Sequence, residues 1–524
     1  MESARPAARL AAEFPDLGSP VVGPAPNETT FEVPLDLIKP VAVWLNSELE
    51  ARLVQLVGVD ERPIDGTFRL YYVFQLQGEL LILRVAVADQ FPSITLEVPA
   101  AHWYEREIQD MFGLIPVGHP DPRPLVLHAG WPRHLHPLRK DFDLKSWPER
   151  VEAEPFAFTG VEGHGVAQVP VGPIHAGVIE PGHFRFSTMG ENVLRLEAQL
   201  FYTHRGVEKR AEGLSLAKGL VLAERVCGAC ALSNSVAYAQ AVERLTGAVL
   251  PQRALVLRSI ALEMERLYNH VGDAGNMCAG TGFAFGTTQG ARLKEQLMRL
   301  NERVWGHRWL RGVIALGGMR RDLTAMDIQD IYATLDAVEK EWQEVVSVIL
   351  GDGIFMDRVR RTGILPHDVA YPLGAVGIAA RASGVDTDLR RDLPYAAYPG
   401  LSFRVPVYEA GDVASRLQVR LVESFETLDL LRHLLNHLPA GPIRLESLPP
   451  VPPYTRAIGY VESPRGADMH FLMTGANGEI YRYMVRSASY ANWPVVPYAV
   501  PGNLIPDFPL INKSFELCYA CLDR

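Results

Sequence analysis

The 524-residue chain sets 51 Lys and Arg against 61 Asp and Glu, a formal net charge of −10, with 48% hydrophobic and 21% charged residues. This is the balance of a globular protein with a sizeable core, and the length calls for two or three domains. The acidic balance and the want of a basic stripe exclude a nucleic-acid partner, and no apolar run nears the roughly 20 residues that cross a bilayer.

The opening "MESARPAARLAAEFPDLGSP" lacks an apolar core and a cleavage site, so no secretory signal is read. Residues 1–35, rich in Pro and Ala, are expected to be a mostly unstructured tail. "PLDLIKPVAVWLNSELEARLVQLVG" has helix-like spacing, and "TFRLYYVFQLQGELLILRVAVA" reads as two strands around Gln77-Gly78-Glu79. A Pro- and His-rich extended stretch follows, so 36–150 is read as a small α/β domain with a tail.

A second, mainly helical domain is expected over 165–524. In "PQRALVLRSIALEMERLYNHVGDAG" the residues Val256, Ile260, Met264, Leu267 and Val271 share one helical face, and Gly272 offers a stop. "TAMDIQDIYATLDAVEKEWQEVVSVILGDG" and "DVASRLQVRLVESFETLDLLRHLLNHL" repeat the helical pattern, and "FLMTGANGEIYRYMV" reads as a hairpin around Asn477-Gly478. The expected class is α+β.

Four of the five cysteines fall into two identical short motifs, Cys227 and Cys230 in "ERVCGACALSNS" and Cys518 and Cys521 in "FELCYACLDR". Cys278 stands alone and reads as a small buried hydrophobe. A terminus frays unless something ties it down, and two Cys-x-x-Cys pairs supply four soft ligands to one ion. Spacing leaves open a structural zinc site, a 4Fe–4S cluster and a catalytic thiolate-bound metal, although zinc ribbons usually bring their pairs within about 15–20 residues.

"ERVCGAC" and "CYACLDR" resemble the two motifs of the nickel–iron hydrogenase large subunit. "VGPIHAGVIEPGHFRFSTMGENVLRLEAQLFYTHRGVEKRAEG", "LGGMRRDL", "VESPRGADMHF" and "YRYMVRSASYANWP" are similar, in order, to segments of the membrane-bound, energy-converting group. "FPSITLEVPAAHWYEREIQDMFGLIPVGHPDPRPLVL" resembles the signature of the 30-kDa subunit of respiratory complex I. Their fusion resembles the large subunit of formate hydrogenlyase. The resemblance implies that Cys227, Cys230, Cys518 and Cys521 hold nickel, with Cys230 and Cys521 bridging to an iron carrying CO and cyanide. It implies that Arg465 hangs over the open metal position and that Glu208 passes protons, its pKa raised by burial. His204, Arg205 and the Arg320-Arg321 pair are weaker candidates for positioning the relay or a partner.

Two departures stand out. The family's first motif usually carries a histidine where this chain has Asn234, and the last motif is usually Asp-Pro-Cys where this chain has Glu516-Leu517-Cys518. Asparagine hydrogen-bonds but relays no proton as imidazole does, and losing proline loosens the turn.

With too few further cysteines for an iron–sulfur wire, the resemblance implies partners. These are a small subunit similar to the 20-kDa subunit of complex I with a 4Fe–4S cluster, a ferredoxin-like subunit, antiporter-like membrane subunits and, as one donor, formate dehydrogenase. It also implies a place on the cytoplasmic face of the membrane. The alternatives are a complex-I-like quinone oxidoreductase subunit with vestigial cysteines, and a structural zinc scaffold.

Overall fold

The computed structural model describes residues 6–145, 148–152, 155–175 and 179–524. The first five residues of the expected tail, 146–147 and 153–154 near the expected linker, and 176–178 within the family-like segment lie outside the described residues.

The stretch expected as a tail joins the fold. Helix α1 (Pro6–Glu13) leads to β1 (Val21–Val22) and β2 (Glu28–Glu32). The region with helix-like spacing divides into α2 (Ile38–Ser47) and β3 (Arg52–Asp60). Apolar residues are so dense in β3 that all but its first residue are buried, which is the pattern of a strand covered on both faces. Such density masks the period that separates strand from helix. The expected pair, β4 (Phe68–Leu76) and β5 (Glu79–Val87), forms a hairpin whose turn residues Gln77 and Gly78 both have positive φ, 48° and 82°. The sheet order is β1-β2-β5-β4-β3, with β2 parallel to β5 and the other pairs antiparallel. Helix α3 (His102–Phe112) packs on β3. From Gly118 to Gly165 the described residues hold no helix or strand, as the Pro-rich sequence implies.

The larger part starts with an antiparallel sheet of β6 (Val166–Val171), β7 (His183–Met189) and β8 (Asn192–Gln199). Helices α4 (Ala231–Thr246), α5 (Gln252–Ala279), α6 (Ala284–Trp305), α7 (Ala325–Gly351) and α8 (Val413–Asn436) make the bulk. A meander of β9 (Arg456–Ser463), β10 (Gly466–Thr474) and β11 (Ile480–Arg486) follows, with its second turn at the expected Asn477-Gly478. Helices α9 (Phe508–Phe515) and α10 (Tyr519–Asp523) end the described chain. The fold is therefore α+β, a small α/β part followed by a larger, mainly helical one.

Helix α5 does not stop at Gly272. It runs on to Ala279, because Gly272 lies where the Lys294 stem of α6 crosses, and a Cβ there would meet Lys294 Cδ at 2.4 Å. The five apolar residues of its expected face are all buried, but so are Glu263, Glu265, Arg266, Asn269, His270 and Asp273 on its other faces.

The two parts are joined by a buried ionic knot. Arg524 sends Nη2 to Glu107 of α3 and Nη1 to Glu208, each at 2.7 Å. Arg482 of β11 reaches Glu208 at 2.8 Å and donates through Nε to the Gly58 carbonyl of β3 at 2.9 Å. Removing one partner strands a buried charge, so Glu107→Ala is expected to lower unfolding free energy by about 3–5 kcal/mol. Removing the exposed Glu341, which pairs with Arg292, should cost less than about 1 kcal/mol. Urea titrations of the purified protein measure both.

Candidate metal centre

The two cysteine pairs converge. The sulfurs of Cys227, Cys230, Cys518 and Cys521 lie within 4.8 Å of one another, three of the residues buried and Cys518 partly so. Each pair leads into a helix: Cys230 immediately precedes α4 and Cys518 precedes α10. Ser489 Oγ accepts the Cys518 N–H at 3.0 Å, and Ser487 Oγ donates to the Cys521 carbonyl at 3.1 Å.

One face of α5 assembles the rest, through Glu265, Tyr268, Asn269, Asp273 and Asn276. The Glu265 carboxylate accepts from the N–H groups of Leu232 and Ser233 at 2.8 and 3.0 Å, capping α4 just after Cys230. Tyr268 and Asn269 donate to the Ala229 carbonyl inside the first cysteine motif. Asn269 Oδ1 and Asp273 Oδ1 accept from Arg465 at 2.8 and 3.0 Å. Asn276 donates to the Glu516 carboxylate. Residues three and four apart share a helix face, so this polar stripe is legible in the spacing beside the apolar one.

Arg465 is buried and also donates through Nε to the Glu516 carbonyl at 3.1 Å. Burial works against its charge, but Asp273, the Cys518 and Cys230 sulfurs and Glu516 more than offset this and keep the guanidinium protonated. Glu516 takes a left-handed backbone conformation, φ 51°, at the end of α9. Contacts from Asn276 and Arg465 hold the turn that a proline was expected to stiffen. Its carboxyl is pushed up to about 7 by burial and by Asp273.

The sulfurs fit a soft cation. Hydrogen bonds from Cys230, Cys518 and Cys521 hold Cys227 well below the usual thiol range, while contact with Cys227 pushes Cys230 and Cys521 well above it. Protons are thus shared among crowded sulfurs, and a thiophilic ion is what lets several of them ionise together. Cys278 is apart from them, fully buried, its thiol pushed up to about 12 by burial.

Glu208 meets a different fate from the one expected. Burial raises its pKa, but Arg524 and Arg482 outweigh burial and hold the carboxyl below the usual range. It is an anchor for two arginines. A solvent-exposed carboxylate that touches the C-terminal cysteine motif is Glu180, in "VIEPGH", where no local pattern sets it apart. Its Oε2 accepts the Ala520 N–H, between the two C-terminal cysteines, at 2.6 Å. The side chain reaches solvent, yet partial desolvation, with the Cys518 sulfur and Asp523 nearby, pushes the carboxyl above its ordinary value.

Arg205 and His204 staple the motifs together. Arg205 donates to the Val226 and Ala520 carbonyls, each at 2.8 Å, and His204 Nδ1 lies 2.6 Å from the Asp523 carbonyl. Arg320 and Arg321 are exposed on a separate hairpin and make no contact with the cysteines.

Both parts of the chain match known proteins. The 30 Kd subunit of respiratory-chain NADH dehydrogenase matches residues 31–147, and its 49 Kd subunit matches 280–458 and 446–524. Formate hydrogenlyase subunit 5 of Escherichia coli (strain K12) is 39% identical, covering 95% of this chain and 89% of its own. Hydrogenase-4 component G of the same organism is 38% identical over 99% and 92%. In the solved structure of the membrane-bound sulfane sulfur reductase, an archaeal respiratory membrane complex, one chain matches with TM-score 0.65 and 26% identity, over 69% of this chain and 99% of that one. The chain belongs to the family of membrane-bound hydrogenase large subunits of the formate hydrogenlyase type, with 30-kDa-like and 49-kDa-like parts fused in one polypeptide.

Proposed function

We propose that this chain is the catalytic large subunit of a membrane-associated nickel–iron hydrogenase complex, interconverting H2 with two protons and two electrons. The observation that carries the reading is the meeting of four cysteine sulfurs, with a buried Arg465 whose charge the Cys518 and Cys230 sulfurs help to hold. Cys227, Cys230, Cys518 and Cys521 would hold nickel together with an iron bearing CO and cyanide. When bound, that group supplies the two-electron chemistry of H2.

The chain's own residues do the rest. Arg465, fixed by Asn269, Asp273 and the Glu516 carbonyl, presents a constant positive charge to the sulfur cluster. Glu180 takes the role first assigned to Glu208: it reaches both solvent and the C-terminal motif, so a proton can be held there and passed on. Electrons enter from outside, since the fifth cysteine is buried away from the cluster. The partners are a small subunit with a 4Fe–4S cluster, a ferredoxin-like subunit and antiporter-like membrane subunits, with formate dehydrogenase as one donor. No helix among the described residues is long and apolar enough to cross a membrane, so attachment on the cytoplasmic face falls to those partners. The division into a 36–150 domain and a 165–524 domain, with β1 and β2 added to the first, belongs to the same reading.

Metal analysis and infrared spectroscopy of the purified native complex test it. Stoichiometric nickel and iron with carbonyl and cyanide bands are expected, and zinc alone with a silent spectrum would sink the proposal. Arg465→Lys should keep the metals and lose roughly 100-fold or more in H2 turnover, because an ammonium cannot span three partners. Glu180→Gln should slow D2/H+ exchange by about 100-fold or more with metal content intact. Glu208→Gln should instead lower the unfolding midpoint, and equal exchange rates in Glu180→Gln and wild type would return the relay to another group.

A further inference from the structure

A buried chain of three polar side chains ends on one of the cysteine loops without having a part in the chemistry above. Asn234, in the first turn of α4, donates through Nδ2 to the Cys230 carbonyl at 2.7 Å. Its Oδ1 lies 3.2 Å from His470 Nε2 on β10, and His470 Nδ1 lies 2.9 Å from the Tyr483 hydroxyl on β11. Asn234, His470 and Tyr483 are each fully buried.

The directions of these bonds follow from one another. The Asn234 amide nitrogen is committed to the Cys230 carbonyl, so its oxygen faces the imidazole and requires a hydrogen on Nε2. Nδ1 then carries a lone pair and accepts the Tyr483 O–H. Burial pushes the His470 pKa down to about 3, which keeps the ring neutral, and the two hydrogen bonds select this tautomer. An unpaired Asn234 oxygen at this depth would carry an uncompensated desolvation penalty, and His470 is the group that prevents it.

The fold brings the two elements close by an unusual route. His470 lies opposite Gly459 of β9, and a Cβ on Gly459 would fall 1.8 Å from the Ala237 carbonyl of α4. Only glycine lets α4 rest on the meander at this depth. Tyr238, the next residue of α4, meets the Tyr483 ring edge-on with centroids 5.4 Å apart, fixing the far end of the chain.

We propose that Tyr483, His470 and Asn234 are positioning residues for the ligand Cys230, a directed hydrogen-bond chain that fixes its carbonyl and thereby the sulfur it presents to the metal. The imidazole comes from β10, not from the helix that follows the cysteines, and this accounts for an asparagine at 234. The inference rests on the metal-site reading given above, and it assigns His470 no proton transfer.

Chelator-driven metal release and infrared band positions, measured on the native complex, test it with His470→Leu, Asn234→Leu, the double variant and His470→Gln. Groups behind metal ligands typically contribute about 10–100-fold in metal affinity, so each leucine variant should release metal roughly tenfold faster and shift the carbonyl and cyanide bands. The double variant should be no worse than either single one, because both break the same chain. His470→Gln, which keeps a donor for Asn234, should release metal within about twofold of wild type. Unchanged release and bands in His470→Leu would overturn the proposal, as would His470→Gln matching His470→Leu. A wild-type complex holding zinc in the four sulfurs would refute the hydrogenase reading and leave the release assay as a valid test of the chain. A complex with no metal would refute both.

Discussion

Four sulfurs from opposite ends of a long segment must share one small buried volume, and the rest of the structure answers to that demand. Two unit charges 4 Å apart repel by about 4 kcal/mol where the effective dielectric constant is near 20, so thiolates crowded this way need both a cation and a stiff frame. The frame is chiefly α5. Its polar stripe caps the helix that starts after Cys230, takes the carbonyl between the first two cysteines, aims Arg465 and holds the turn before Cys518. A shift of α5 along its axis would disturb all four contacts together.

What fixes α5 is a second set of buried charges on its other faces. Glu263 pairs with Arg390 at 3.2 Å and with Arg266 at 3.3 Å, and Arg381 reaches both Glu423 and Glu462, while His270, kept neutral by burial, hydrogen-bonds Glu423 at 2.7 Å. Buried ion pairs of this kind are a poor source of net stability, since desolvation consumes much of the attraction. They are demanding about geometry, because a misplaced partner leaves a bare charge in low dielectric. A helix made this way has one acceptable depth and rotation, which is what a ligand frame requires.

Elements with a strong local signal were legible in the sequence. Both hairpins followed from their Gly-containing turns, and the cysteine pairs marked the four sulfurs that converge. Arg465 emerged by resemblance, and the Cys518 and Cys230 sulfurs help to hold its charge. Features that depend on the partner rather than on local pattern did not emerge. Nothing around Glu208 marks it as an anchor, since its two arginines come from residues 482 and 524. Gly272 reads as a stop until the stem of Lys294 is seen to cross it. β2 pairs locally only with the two-residue β1, and its pairing with β5 spans some fifty residues of chain that a local reading cannot bridge. The polar stripe of α5 was visible in its spacing, but polar residues on a helix are read as solvent-facing unless their partners are known.

The same knot that joins the two parts of the chain also bears on the metal. Arg524 follows directly on α10, the helix that carries Cys521, and its guanidinium is held by Glu107 of the N-terminal sheet unit. Its carbonyl accepts the N–H of Arg205, whose own side chain ties the two cysteine motifs together. Docking of the N-terminal unit and closure of the cysteine cluster therefore share side chains. Groups that share partners are not energetically independent. Linkage is reciprocal: an ion that orders Cys518 and Cys521 favours the docked unit by as much as the docked unit favours the ion. Fusing the two parts raises the effective concentration of Glu107 beside Arg524, so the cluster gains this support without waiting for a second chain to bind.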